Sequence, residues 1–169
     1  SFREVCELIK KYKDVEFVID VKGDQQMCKE VYKKCVKIAK EVDGKVLDKF
    51  IPQIYDEKML NDVMATYDFK SMIYTLYKQE KLNAQEVIDF SYENGIKVVV
   101  VDNGKLDLKF IKELAQRGIY VYANTYNETD KVKNLFDVGV KGIYSDFINP
   151  KNGENRYEVE ENKNKDIKN

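Results

Sequence analysis

Val15–Asp24, V-E-F-V-I-D-V-K-G-D, is the stretch on which the reading of this chain turns. Phe17, Val18 and Ile19 form an apolar run that continues into Asp20-Val21-Lys22. Side chains two apart on a strand share a face, so Asp20 and Lys22 point the same way. An acid and a base at the carboxy end of a buried strand, followed by the turn Gly23-Asp24 and a helix, suit the mouth of a parallel α/β sheet or barrel. A structural ion pair is the alternative reading of the same two residues.

Outward from this strand the pattern alternates. Upstream, Phe2–Tyr12 places Val5, Leu8, Ile9 and Tyr12 on one side of a helix. Downstream, Gln25–Val42 carries Cys28, Val31, Cys35, Ile38 and Val42 at three-and-four spacing, as a helix lying on a sheet does. Lys49–Tyr55 (K-F-I-P-Q-I-Y) reads as a strand, 57–67 as a helix, and Lys70–Tyr77 (K-S-M-I-Y-T-L-Y) as a strand. Asn83 and Glu86 then form a capping box for a helix ending at Asn94-Gly95. Ile96–Asp102, Ile119–Thr125 and Val140–Asp146 complete six strands, separated by helices near 107–117 and 128–138. Three helices stop at a glycine that a β-branched residue follows, Gly95-Ile96, Gly118-Ile119 and Gly139-Val140, the mark of a short αβ loop. Continuous apolar runs of this kind belong to parallel strands covered on both faces, so the class is α/β. Residues 150–169 are polar and without period, and read as a disordered tail on a single 1–149 unit.

The 169 residues are 43% hydrophobic and 35% charged, with 29 basic and 30 acidic side chains and a net charge of −1. This balance gives no long-range reason to expect nucleic acid as a partner. No apolar run approaches the ~18 residues of a membrane span. Cys6, Cys28 and Cys35 lack metal-type spacing and read as buried free thiols. Histidine is absent, which removes the commonest general acid and base.

Polar residues gather at the strands' carboxy ends: Asp20 and Lys22, Gln53 and Tyr55, Thr75 and Tyr77, Asp102, Thr125 with Asn127, and Asp146. In an α/β barrel this rim carries the site. Taken singly, Tyr77, Asp102 and Asp146 read equally as wet loop residues. A Ca²⁺ or Mg²⁺ ion wants several oxygens, of which Asp20 is one.

The order V-I-D-V-K, F-I-P-Q-I-Y, I-Y-T-L-Y, V-Y-A-N-T-Y-N, G-V-K-G-I-Y-S-D-F resembles the glycerophosphodiester phosphodiesterases over residues 1–149. The resemblance implies a partial (β/α)8 TIM barrel, strands three to eight, in a metal-dependent phosphodiesterase acting on glycerophosphodiesters or related phospholipid head groups. It implies Asp20 as the metal-binding carboxylate, Lys22 as the catalytic lysine that offsets phosphate charge, and Gln53, Tyr55, Thr75, Thr125 and Asn127 along the substrate pocket. Asn124 departs from the family, which often has an aromatic residue there. The Asp form of the carboxylate-x-Lys motif is also similar to that of the sphingomyelinase D toxins. The family's His-Arg-Gly motif, Glu-x-Asp metal pair and second histidine have no counterpart here. The isolated chain is therefore expected to be inactive, with no metal of its own. A start at Ser1 without methionine is expected of a piece excised from a longer hydrolase, in the cytoplasm or held at the cell surface by an upstream segment. A native chain of this length would instead be a non-catalytic phosphate-binding or assembly module, self-associating through open barrel edges.

Overall fold

The computed structural model describes residues 1–148 except Lys13 and Asn103. The tail expected over 150–169 lies outside the described residues.

Alternating apolar runs and amphipathic segments build α1 (Phe2–Lys11), β1 (Phe17–Ile19), α2 (Gln25–Asp43), β2 (Phe50–Ile54), α3 (Glu57–Met64), β3 (Ile73–Thr75), α4 (Ala84–Glu93), β4 (Val98–Asp102), α5 (Leu108–Gln116), β5 (Tyr120–Asn124), α6 (Thr129–Asp137) and β6 (Gly142–Ile143). The sheet runs β1-β2-β3-β4-β5-β6 with every pair parallel. Each strand lies beside its sequence neighbours, and among the described residues β1 and β6 each keep one unpaired edge. The result is a curled, partial α/β barrel.

Residue alternation sets its two faces. Ile19, Ile54, Tyr74, Leu76, Val99, Val101, Val121 and Ala123 face the helices, where they join Ile9, Val36, Leu60, Val63, Val87 and Leu114 in one core. Each fully buried aliphatic side chain contributes about 1.5–3 kcal/mol. The opposite parity lines the concave face. At its amino end lies a cavity of about 420 Å³ bordered by Val18, Ile51, Ile73, Val98, Tyr122 and Tyr144.

The capping chemistry explains most element starts. Asp24 and Asp56 accept the Met27 and Met59 backbone N–H groups at 2.8 and 2.7 Å, and both helices begin immediately after them. Asn83 caps α4 by accepting the Gln85 and Glu86 N–H groups. Its amide nitrogen also donates to the Glu86 carboxylate at 2.7 Å. Gly95 and Gly118 take φ of +66° and +71°, the left-handed conformation that ends α4 and α5.

Several boundaries differ from the periodicity. α3 stops at Met64 because the Thr66 backbone N–H and hydroxyl both turn back to the Val63 carbonyl, at 2.9 and 2.7 Å. The chain continues past α2 as a 3-10 helix over Gly44–Lys49, opened by Asp43 accepting the Lys45 N–H. β3 takes only Ile73–Thr75 of the run Lys70–Tyr77, and Lys70, ahead of it, pairs with Asp48 at 2.8 Å. All three cysteines are free, Cys6 and Cys28 buried and Cys35 half-buried.

Candidate functional site

The alternation that buries Ile19 and Val21 turns Asp20 and Lys22 to the concave side, where their charged ends meet at 2.8 Å. β2 brings Gln53 and Tyr55 beside them by the same parity. The Tyr55 hydroxyl donates to Asp20 and accepts from Lys22 Nζ at 2.7 Å and from Gln53 Nε2 at 3.4 Å. One O–H and two lone pairs are thereby all used. Gln53 Oε1 accepts in turn from the Tyr144 hydroxyl at 3.1 Å, across the concave face from the β6 end.

Aromatic rings frame the lysine. Lys22 Nζ lies 5.2 Å from the Tyr55 ring centre and 5.6 Å from that of Tyr77, and the two rings meet edge to face. Lys78 Nζ lies 4.7 Å from the Tyr55 ring. Such contacts favour cations held at a ring face.

The hydrogen bonds from Lys22 to Asp20 and then to Tyr55 push the lysine pKa well above its ordinary value. Lys22 is therefore a fixed cation at neutral pH, suited to electrostatic stabilisation rather than proton transfer. Burial, then the bond to Asp20, raises the Tyr55 phenol. Burial, then the Asp20 charge, pushes Tyr144 up to about 12. The cluster thus sets the Lys22 cation, paired with Asp20, beside protonated phenols and an amide.

A model of the glycerophosphoryl diester phosphodiesterase family matches residues 2–150. The chain belongs to this family. Among solved structures, this phosphodiesterase-family chain is similar to the Oleispira antarctica phosphodiesterase determined in complex with the product sn-glycerol-3-phosphate. Identity is 16% and the TM-score 0.68, covering 85% of this chain and 56% of that one. It is also similar to a glycerophosphodiester phosphodiesterase from Parabacteroides distasonis, at 14% identity and a TM-score of 0.65, over 85% and 58% of the two chains. The chain spans a little over half the length of these structures. No curated protein matches it.

The phosphodiesterase-family residues expected at the rim fall into separate groups. Asp20, Lys22, Gln53 and Tyr55 form the connected cluster just described. Thr75 is buried on β3. Thr125 is exposed just past β5. Asn127 is engaged with the β6 end, where its Oδ1 accepts from the Ser145 hydroxyl at 3.0 Å and from the Asp146 N–H at 2.9 Å, and its Nδ2 donates to Asp146 at 3.1 Å. Asn124, the departure from the family pattern, leaves its Oδ1 buried without a hydrogen-bond partner among the described residues. Asp102 faces Lys105 at 3.9 Å.

Among the described residues no group of three or more His, Cys, Asp or Glu side chains is arranged to hold a metal ion. Asp20 is already engaged by Lys22 and Tyr55. These residues by themselves do not make up the several-oxygen site that Ca²⁺ or Mg²⁺ needs. Two residues of the cluster were not singled out from the sequence, Tyr144 and Lys78. Tyr144 had a usable signal, since it lies two residues before Asp146 and so shares its inward parity. Lys78 had none.

No helix among the described residues is long and apolar enough to cross a membrane.

Proposed function

We propose that this chain carries the phosphate-binding side of a glycerophosphodiester phosphodiesterase site. The observation that carries the reading is Lys22, held as a permanent cation by Asp20 and Tyr55 at the carboxy ends of β1 and β2. Negative charge that develops on phosphoryl oxygens as the P–O bond breaks is offset by such a cation at little cost in reorganisation. Gln53 and Tyr55 add neutral hydrogen-bonding groups beside it. Of the other residues expected along the pocket, Thr125 lies exposed on the same rim just past β5. The ligand is a small glycerol phosphate ester, a class supported by the product bound in the Oleispira antarctica phosphodiesterase.

Hydrolysis also needs a proton donor for the leaving alcohol and a base for water. The chain contains no histidine, and the phenols of Tyr55 and Tyr144 and the Lys22 ammonium hold their protons at neutral pH. In this reading the acid, the base and any further metal ligands come from outside these residues, and the chain alone binds without cleaving.

Calorimetric titration of the folded chain with glycerol 3-phosphate tests the binding half. Saturable binding that Lys22→Ala abolishes is expected, and a folded chain that binds no phosphate ester sinks the reading. Release of glycerol 3-phosphate from glycerophosphocholine by a longer parent, supplied with Ca²⁺ or Mg²⁺, tests the catalytic half. Binding without turnover in every metal-replete form would instead establish a phosphate-binding module, the alternative that the missing histidines favour.

A further inference from the structure

Lys22 is not the only cation at this mouth. Lys78 sits in the β3–α4 connection, whose backbone is held on both sides of it. Lys105 Nζ donates to the Tyr77 carbonyl at 3.2 Å and to the Gln79 carbonyl at 2.9 Å. The Gln79 N–H closes a turn on the Leu76 carbonyl at 3.0 Å, and the Gln79 amide donates to the Tyr74 hydroxyl at 2.5 Å. The loop is built to aim one side chain, and that side chain lies over the Tyr55 ring.

The charges of the two lysines are spent differently. Lys22 is neutralised at 2.8 Å by Asp20, whereas Lys78 makes no ion pair among the described residues. Asp24 and Asp56, whose charges act on the Cys28 thiol together with those of Lys78 and Asp20, make no ion pair with its ammonium group. Each is turned to the start of its own helix, where backbone N–H groups and the helix dipole hold it. A ring face, which weakly favours a cation, is what Lys78 has in place of a counter-ion.

Resting on the proposed phosphate site, we infer that Lys78 is its second anion-contacting residue and makes it selective for phosphate monoester dianions over phosphodiester monoanions. With Asp20 balancing Lys22, the open Lys78 ammonium over the Tyr55 ring is the cation left to meet the second negative charge of a ligand whose first phosphoryl oxygen is hydrogen-bonded by Lys22. A diester, with one charge, gains little from the second ammonium. The site then holds a monoester product more firmly than a diester substrate, with glycerol 3-phosphate and orthophosphate as its tightest small ligands.

The test is calorimetric titration of the full chain at pH 8, where monoesters carry two charges because their second pKa lies near 6. Glycerol 3-phosphate is compared with dimethyl phosphate for wild type, Lys78→Gln, Lys22→Gln and, as a control for general charge, the exposed Lys37→Gln. The wild type is expected to prefer the monoester about two- to fivefold, the size of one exposed ionic contact. Lys78→Gln should erase that preference while leaving the diester almost unchanged, and Lys22→Gln should weaken both. Equal binding of the two ligands by the wild type, a preference that survives in Lys78→Gln, or the same loss in Lys37→Gln would each overturn the inference. Failure of the wild type to bind either ligand would overturn the proposed phosphate site itself.

Discussion

Tyr55→Phe removes one oxygen from the centre of the site, and the structure says what that should cost. The hydroxyl serves Asp20, Lys22 and Gln53, while the ring remains to fill the same volume. A hydrogen bond to a charged group contributes about 1.5–3 kcal/mol when well buried. The discount here is substantial, because the Lys22 and Asp20 side chains are 70% and 32% exposed and keep each other as partners. About 1–1.5 kcal/mol of destabilisation is therefore expected. In urea this lowers the unfolding midpoint by about 0.5–1 M at an unchanged slope. Lys22 carries a raised pKa in the folded state, so its contribution is complete below the ordinary lysine value of about 10.4 and fades as pH rises through the folded value. The gap between wild type and variant should stay constant from about pH 6 to 9 and narrow above about pH 10. A cycle with Asp20→Asn isolates the pair, with a coupling of at least about 0.5 kcal/mol expected. Additive effects, or an unchanged midpoint, would refute the hydrogen-bonded cluster.

Other expectations follow from separate parts of the fold. Gly142→Ala would place a methyl 2.6 Å from the Tyr122 ring, so a loss of about 1–3 kcal/mol in urea unfolding is expected. Adding Tyr122→Leu should recover part of it, and an unaltered midpoint for Gly142→Ala alone would contradict the close approach. Tyr144→Phe should blunt the fall in stability that wild type shows as pH climbs from about 10 toward 12, because a phenol whose folded pKa is raised loses its stabilising share across that interval. Identical alkaline profiles would count against it. The unpaired edges of β1 and β6, with Phe17 and Val18 each 37% exposed beside one of them, are expected to give concentration-dependent self-association in sedimentation. A single monomeric species up to millimolar protein would exclude that.

The parts legible in the sequence are those set by local period. Two-residue alternation places Asp20 with Lys22, helical spacing marks the first three helices, and a capping box marks the fourth. The glycine-to-β-branched steps found the αβ loops. What escaped depends on through-space curvature or on loop direction. Tyr144 reaches Gln53 only because the sheet bends far enough for β6 to face β2. Lys78 reaches Tyr55 only because Lys105, 27 positions later, fixes the backbone on either side of it. The engagement of the Asn127 amide by Ser145 and Asp146 likewise joins the β5 and β6 ends through space. The early end of α3 is a smaller case, in which one threonine hydroxyl outweighed a helical period.

The bond between Tyr144 and Gln53 spans 91 positions in a sheet whose strands otherwise meet only their sequence neighbours. Geometrically it is a chord drawn across an arc. A strip held together by neighbour pairs can flatten or tighten by small rotations shared among all its strands, and no single ladder registers the change. The chord accumulates all of them and lengthens first. Since the same Gln53 side chain faces the Lys22 cluster, any ligand that recruits its amide competes with the chord, and the curvature of the whole strip becomes tied to whether the mouth is filled.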